Sequence, residues 1–210
     1  MFLYIPLYRA IELGDWERAQ EIFNQDKRTL IVEIAEDEKT ALHVAISNPE
    51  NISFLENLLS QIYVDEESLL PLATALRFAI QCGNKLAVEL LVNKNPHLLF
   101  INYFDDDDYG RMDLPLERAA LYSQRAILDY LFEKYKQHIG LIDNFGYTNP
   151  FKGDHLYDLF SHTIVAEYFG KLNLAFTLQP RLLVLLHAIV YLMLLICYIT
   201  KPTINLFCFF

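Results

Sequence analysis

The chain has 210 residues, 53% of them hydrophobic, and 27 acidic against 17 basic residues give a net charge of −10. That length allows one ordinary domain, or a short solenoid with an appendage, and the sign of the charge excludes the basic face that a nucleic-acid footprint needs. The cysteines Cys82, Cys197 and Cys208 are too few and too widely spaced for a disulfide framework or a zinc site, which points to a reducing compartment.

The opening Met1-Phe2-Leu3-Tyr4-Ile5-Pro6 has no basic n-region, and its apolar run is too short for a signal peptide. The first repeated phrase follows at once, Pro6-Leu7-Tyr8-Arg9-Ala10-Ile11-Glu12-Leu13-Gly14-Asp15, with Trp16, Ala19, Ile22 and Phe23 behind it at helical spacing. The second is Thr40-Ala41-Leu42-His43-Val44-Ala45, followed by Phe54, Leu55, Leu58 and Leu59. Within the second unit, Asn51-Ile52-Ser53 matches a glycosylation sequon, a chance match if the domain is cytosolic. The third phrase is Thr74-Ala75-Leu76-Arg77-Phe78-Ala79, ending in Cys82-Gly83-Asn84, then Ala87, Val88, Leu90 and Leu91. The fourth is Leu114-Pro115-Leu116-Glu117-Arg118-Ala119-Ala120, then Ala126, Ile127, Tyr130 and Leu131. The leucines Leu7, Leu42, Leu76 and Leu116 are 35, 34 and 40 residues apart.

Each phrase reads as the start of a short helix, with a second helix behind it. Thr40 and Thr74 are placed to cap helix N-termini, and Pro6 and Pro115 suit a first helical turn, where the missing N–H is not needed. Gly14 and Gly83 can take the left-handed conformation that ends a helix. The small residues Ala10, Ala45, Ala79 and Ala119 allow neighbouring helices to approach. One such unit cannot bury its own apolar face, so the copies must stack. His43 is expected to hydrogen-bond within and between units, because no nucleophile or second base stands near it at helical spacing. Trp16 is expected in the core, and Cys82 as an inert thiol.

The segments before the phrases are acidic: Glu36, Asp37 and Glu38; Asp65, Glu66 and Glu67; Asp105, Asp106, Asp107 and Asp108. They are either ordinary solvated loops or an acidic edge that meets a basic protein partner. The aspartate run lacks the alternating ligands and glycine of a calcium loop. With Arg77 and Glu117 on the first helices, these residues form the expected partner-contact set. Residues 139–150 read as loop and turn. From Gly153 helical periodicity returns through Leu156, Leu159, Phe160 and Ile164, as in a degenerate fifth unit. There Asp154, Asp158 and His162, with His155 beside them, share one helix face. No fourth metal ligand accompanies them, and a solvated polar face is the reading adopted.

Residues 182–200 run Leu-Leu-Val-Leu-Leu-His-Ala-Ile-Val-Tyr-Leu-Met-Leu-Leu-Ile-Cys-Tyr-Ile-Thr between Arg181 and Lys201, without a formal charge. As a helix this segment would be about 28 Å long, close to the hydrocarbon thickness of a bilayer. It is apolar all round, and a terminal helix of a stacked array needs a polar outer face. A membrane span is therefore expected, with the acidic domain on the cytosolic side. The alternative is a tail packed as core in a soluble regulator of a partner enzyme.

The phrases, their spacing and the two-helix rhythm resemble the ankyrin repeat. The opening Tyr4-Ile5-Pro6-Leu7-Tyr8-Arg9-Ala10, Gly14-Asp15-Trp16-Glu17-Arg18-Ala19, and Ala87-Val88-Glu89-Leu90-Leu91-Val92-Asn93-Lys94-Asn95-Pro96 are more specific. Together with the second phrase they resemble the plant ankyrin-repeat membrane proteins of the accelerated-cell-death and salt-tolerance type. That family usually carries a C-terminal domain opening Pro-Gly-Gly with several membrane helices; this sequence has no Pro-Gly-Gly and a single apolar segment. The resemblance implies a role in defence or stress signalling.

The resulting expectation is an all-α ankyrin-repeat solenoid with a C-terminal hydrophobic helix. About four repeats would occupy 1–138, a loop and degenerate fifth repeat 139–180, and the hydrophobic tail 181–210. The expected function is non-enzymatic: a membrane-tethered interaction scaffold without cofactor or metal. No phosphate loop, nucleophile elbow or paired catalytic carboxylates occur in the sequence.

Overall fold

Leucine and alanine at fixed places in the phrase decide how the chain packs. Leu7, Leu42, Leu76 and Leu116 are fully buried, and so are Ala10, Ala45, Ala79 and Ala119 one helical turn further on. Burying a leucine contributes about 1.5–3 kcal/mol, so this repeated pair outweighs the surface charges between the phrases. The computed structural model describes residues 4–35, 39–101, 103–104, 112–141, 148–151, 155–156, 158–159 and 162–163. The chain divides into two units, Met1–Glu167 and Tyr168–Phe210, and every described residue lies in the first.

The architecture is all-α apart from one minimal hairpin. The helices are α1 (Ile5–Leu13), α2 (Trp16–Gln25), α3 (Ala41–Ser47), α4 (Ile52–Gln61), α5 (Glu66–Gln81), α6 (Lys85–Lys94), α7 (Pro115–Leu121) and α8 (Arg125–His138). They pack as pairs, α1 on α2, α3 on α4, α5 on α6 and α7 on α8. Successive first helices touch in a row, α1 to α3 to α5 to α7, while α4, α6 and α8 form a second row. Between α6 and α7, β1 (Tyr103–Phe104) pairs antiparallel with β2 (Met112–Asp113). This hairpin accounts for the longer interval between the third and fourth phrases.

Turn chemistry joins the pairs. Gly14 and Gly83 have φ of 69° and 73°, the left-handed values a helix end requires, and Ser123 takes the same place in the last pair with φ 55°. Next to these turns a polar side chain reaches back to the preceding pair. Asn51 Nδ2 donates to the Ile11 carbonyl at 3.1 Å, and Asn84 Nδ2 donates to the Ile46 carbonyl at 3.0 Å. Each glycine also leaves room for a side chain of a later pair: a Cβ on Gly14 would lie 2.8 Å from Asn51 Oδ1, and one on Gly83 2.9 Å from the Gln124 amide. Asp26 and Asn95 close the second helices of their pairs in the same manner, accepting from Arg28 N and His97 N to start the 3-10 turns Lys27–Leu30 and Pro96–Phe100.

The third phrase departs from expectation. Thr74 caps nothing, because α5 already begins at Glu66. A capping box starts it there: Ser68 N donates to Asp65 Oδ1 at 2.9 Å, and Asp65 N donates to Ser68 Oγ at 3.0 Å. Pro71 lies inside the helix, and the Thr74 hydroxyl donates to its carbonyl at 3.0 Å. Asp65, Glu66 and Glu67 therefore form a helix start and not a loop finger.

Trp16 packs edge-on against Phe54, with centroids 5.1 Å apart, so it joins the first pair to the second. Ala126, expected with the core residues of α8, is exposed. Beyond α8, Phe151 is buried against Phe132 and Tyr135, and Leu156, Leu159 and Thr163 are buried as well. Residues of the expected fifth unit thus cover the end of the fourth pair. Among the described residues no helix is long and apolar enough to cross a membrane, and residues 182–200 lie outside them.

Candidate interaction surface

The expected contact residues fall into three groups. Glu36, Asp37 and Glu38, and likewise Asp105 to Asp108, lie outside the described residues. Their flanks are tied: Ile34 N and Ala35 N both donate to the Lys39 carbonyl, at 2.9 and 3.2 Å, and Tyr103 and Phe104 pair with Asp113 and Met112. Asp65, Glu66 and Glu67 are exposed on the first turn of α5. Arg77 and Glu117 are buried, at 7% and 0% exposure, so the structure does not offer them to a partner. In the second and fourth phrases the fourth residue completes a helix N-terminus, whereas Arg77 lies inside α5, which begins eleven residues earlier at Glu66.

His43 and Glu117 occupy that fourth place and do the same work. His43 Nδ1 accepts from Thr40 N at 3.3 Å, with the Thr40 hydroxyl 2.9 Å away. Because the Thr40 N–H can only donate, the neutral ring carries its proton on Nε2. Burial pushes the His43 pKa down to about 4, against an opposing hydrogen bond to the Thr74 backbone that favours the charged ring. His43 also packs against Phe78 in the next pair, with ring centroids 5.3 Å apart. In the fourth phrase Glu117 Oε2 accepts from Leu114 N at 3.2 Å, and Glu117 Oε1 lies 2.9 Å from His155 Nδ1. Leu114 has no side-chain oxygen, so only the reciprocal half of a capping box can form there. His155 ties the covering segment to α7. Both residues are structural by geometry, as the sequence indicated for His43 but not for Glu117.

A pocket of about 590 Å³ opens between the 3-10 turn after α2 and the N-terminal part of α5. Asp26, Arg28, Val32 and Glu33 line one side, and Leu70 and Pro71 the other. Thr40 and Thr74, from the second and third phrases, also line it. Val32 and Leu70 are large apolar residues that are 36% and 51% exposed. The Arg28 guanidinium grips the Asp26 carboxylate through two hydrogen bonds of 3.0 and 2.9 Å. That pair holds the Asp26 carboxyl below the usual carboxylate range. This pocket has no signature in the sequence, because the early start of α5 builds one wall of it.

Partial burial pushes the Cys82 thiol up, the opposite of what an activated thiolate needs. Asp154 lies outside the described residues, and among those described no cluster of three metal-ligating side chains occurs.

No family model matches the chain, and no curated protein matches it. Among solved structures it is similar to a chain in the crystal structure of the yeast ribosomal protein Rps3 in complex with its chaperone Yar1. The sequences are 18% identical, the match covers 62% of this chain and 91% of that one, and the TM-score is 0.48.

Proposed function

We propose that this protein is a non-enzymatic, ankyrin-type interaction scaffold, tethered to a membrane by residues 182–200 with its repeat domain facing the cytosol. The observation that carries the binding role is the two-row stack of helix pairs, built on a repeated phrase. Such an array holds a long surface rigid without assembling a reaction centre. The net charge of −10 favours a protein partner with a basic surface. The acidic segments that flank the phrases add to that field, and no cofactor enters the account. A role in defence or stress signalling is part of this reading, supported by the resemblance of the phrases to plant ankyrin-repeat membrane proteins.

The test is isolation of the full chain in mild detergent at low salt, followed by stoichiometric analysis. A basic protein partner recovered near one-to-one, and released as salt rises, is the expected result. A chain that turns over a substrate on its own, or holds a stoichiometric acidic or nucleic-acid partner, would overturn the reading.

A further inference from the structure

Resting on the scaffold reading, we infer that the pocket between the 3-10 turn after α2 and the start of α5 takes a short peptide segment. That segment carries a bulky apolar side chain next to lysine or arginine. Three observations set its chemistry. First, both segments that line the pocket contribute apolar side chains, Ile31 and Val32 from one and Leu70 and Pro71 from the other, and Val32 and Leu70 are exposed. A volume of about 590 Å³ falls in the range that accepts a few side chains.

Second, the charge around the pocket is unbalanced. The Arg28 guanidinium is engaged by Asp26, which leaves the exposed Glu33 carboxylate as the uncompensated charge among the lining residues. Third, the helical stripe that runs through Leu70, Pro71 and Thr74 continues outward to Glu67, one turn before Leu70 and exposed on the same helix. An apolar side chain between Val32 and Leu70 would therefore have a carboxylate on each side, Glu33 and Glu67, within reach of flanking cations. An acidic or neutral segment would gain the apolar contact and meet repulsion or nothing at the rim.

The test uses the full 210-residue chain and two fluorescein-labelled probes, a short peptide of alternating leucine and lysine and its leucine–glutamate counterpart. Anisotropy titration is expected to show binding of the first only, weakening as salt is raised. Leu70→Asp should reduce its affinity about tenfold or more. Glu33→Lys should weaken it and narrow the gap between the two probes, whereas Leu86→Asp, an exposed apolar position on α6, should leave it unchanged. Circular dichroism of each variant checks that the helices persist. Equal affinity for the two probes, no binding, or an equal effect of Leu70→Asp and Leu86→Asp would overturn the inference. A basic stoichiometric partner whose capture is indifferent to Leu70→Asp and Glu33→Lys would likewise remove the pocket while leaving the scaffold reading intact.

Discussion

His43 shows how one side chain can serve a helix end and a stack at once. It caps α3 through Thr40 and reaches α5 through Thr74 and Phe78, and it does so as a neutral ring. Its folded pKa of about 4 lies below the ordinary value of 6.5. The unfolded chain therefore takes up a proton that the folded chain refuses as pH falls from 6.5 towards 4. The stability tied to the neutral ring is complete above about pH 6.5 and is lost across that interval, with a ceiling of about 3 kcal/mol. His43→Gln keeps an acceptor in the capping-box position and removes the titration. Urea unfolding between pH 7 and 4 should show a flatter acid limb for His43→Gln than for the parent, and parallel limbs would contradict this assignment. Asn84 is a second such residue. It accepts from Ala87 N at 3.1 Å and donates to the Ile46 carbonyl at 3.0 Å. Asn84→Ala removes a helix cap and a bond between pairs, so unfolding free energy should fall by about 1–2 kcal/mol. A change within error would mean that water replaces both contacts.

At the scale of elements, α5 separates what the sequence reveals from what it hides. Its early start rests on Asp65, whose carboxylate and backbone share a reciprocal pair of bonds with Ser68. Asp65→Ala should fray the first turns, seen as faster amide exchange from Ser68 to Leu70, with a loss of about 1 kcal/mol. Unchanged exchange would show that packing of Leu72 and Leu76 alone fixes the helix start. The phrases themselves were legible, because leucine, alanine and glycine recur at fixed offsets and each has one physical use. All four phrase leucines are buried, and both glycines adopt positive φ. Thr74 misled because a threonine before an apolar run reads as a cap, yet the Asp65–Ser68 box nine residues upstream competes for the same role and prevails. The reciprocal bond of Glu117 and the back-reaching amides of Asn51 and Asn84 were not legible. Polar residues at such places look solvated until a neighbouring pair is laid against them. The pocket depends on two segments about forty residues apart in sequence, and no periodicity announces it.

At the scale of the molecule, stability spreads along neighbouring pairs, as expected for a stacked array. The last pair is closed by Phe151 against Phe132 and Tyr135, and by His155 against Glu117. The uncharged run at 182–200 lies outside the described residues. The proposed tether assigns that run to a bilayer, and one measurement bears on this most directly. Membranes from cells expressing the full chain, and from cells expressing a chain that ends at Gln179, are extracted with alkaline carbonate. The account predicts that the full chain stays in the pellet while the shorter chain is released folded. Release of both into the supernatant as monodisperse protein would contradict the tether and leave a soluble regulator as the better description.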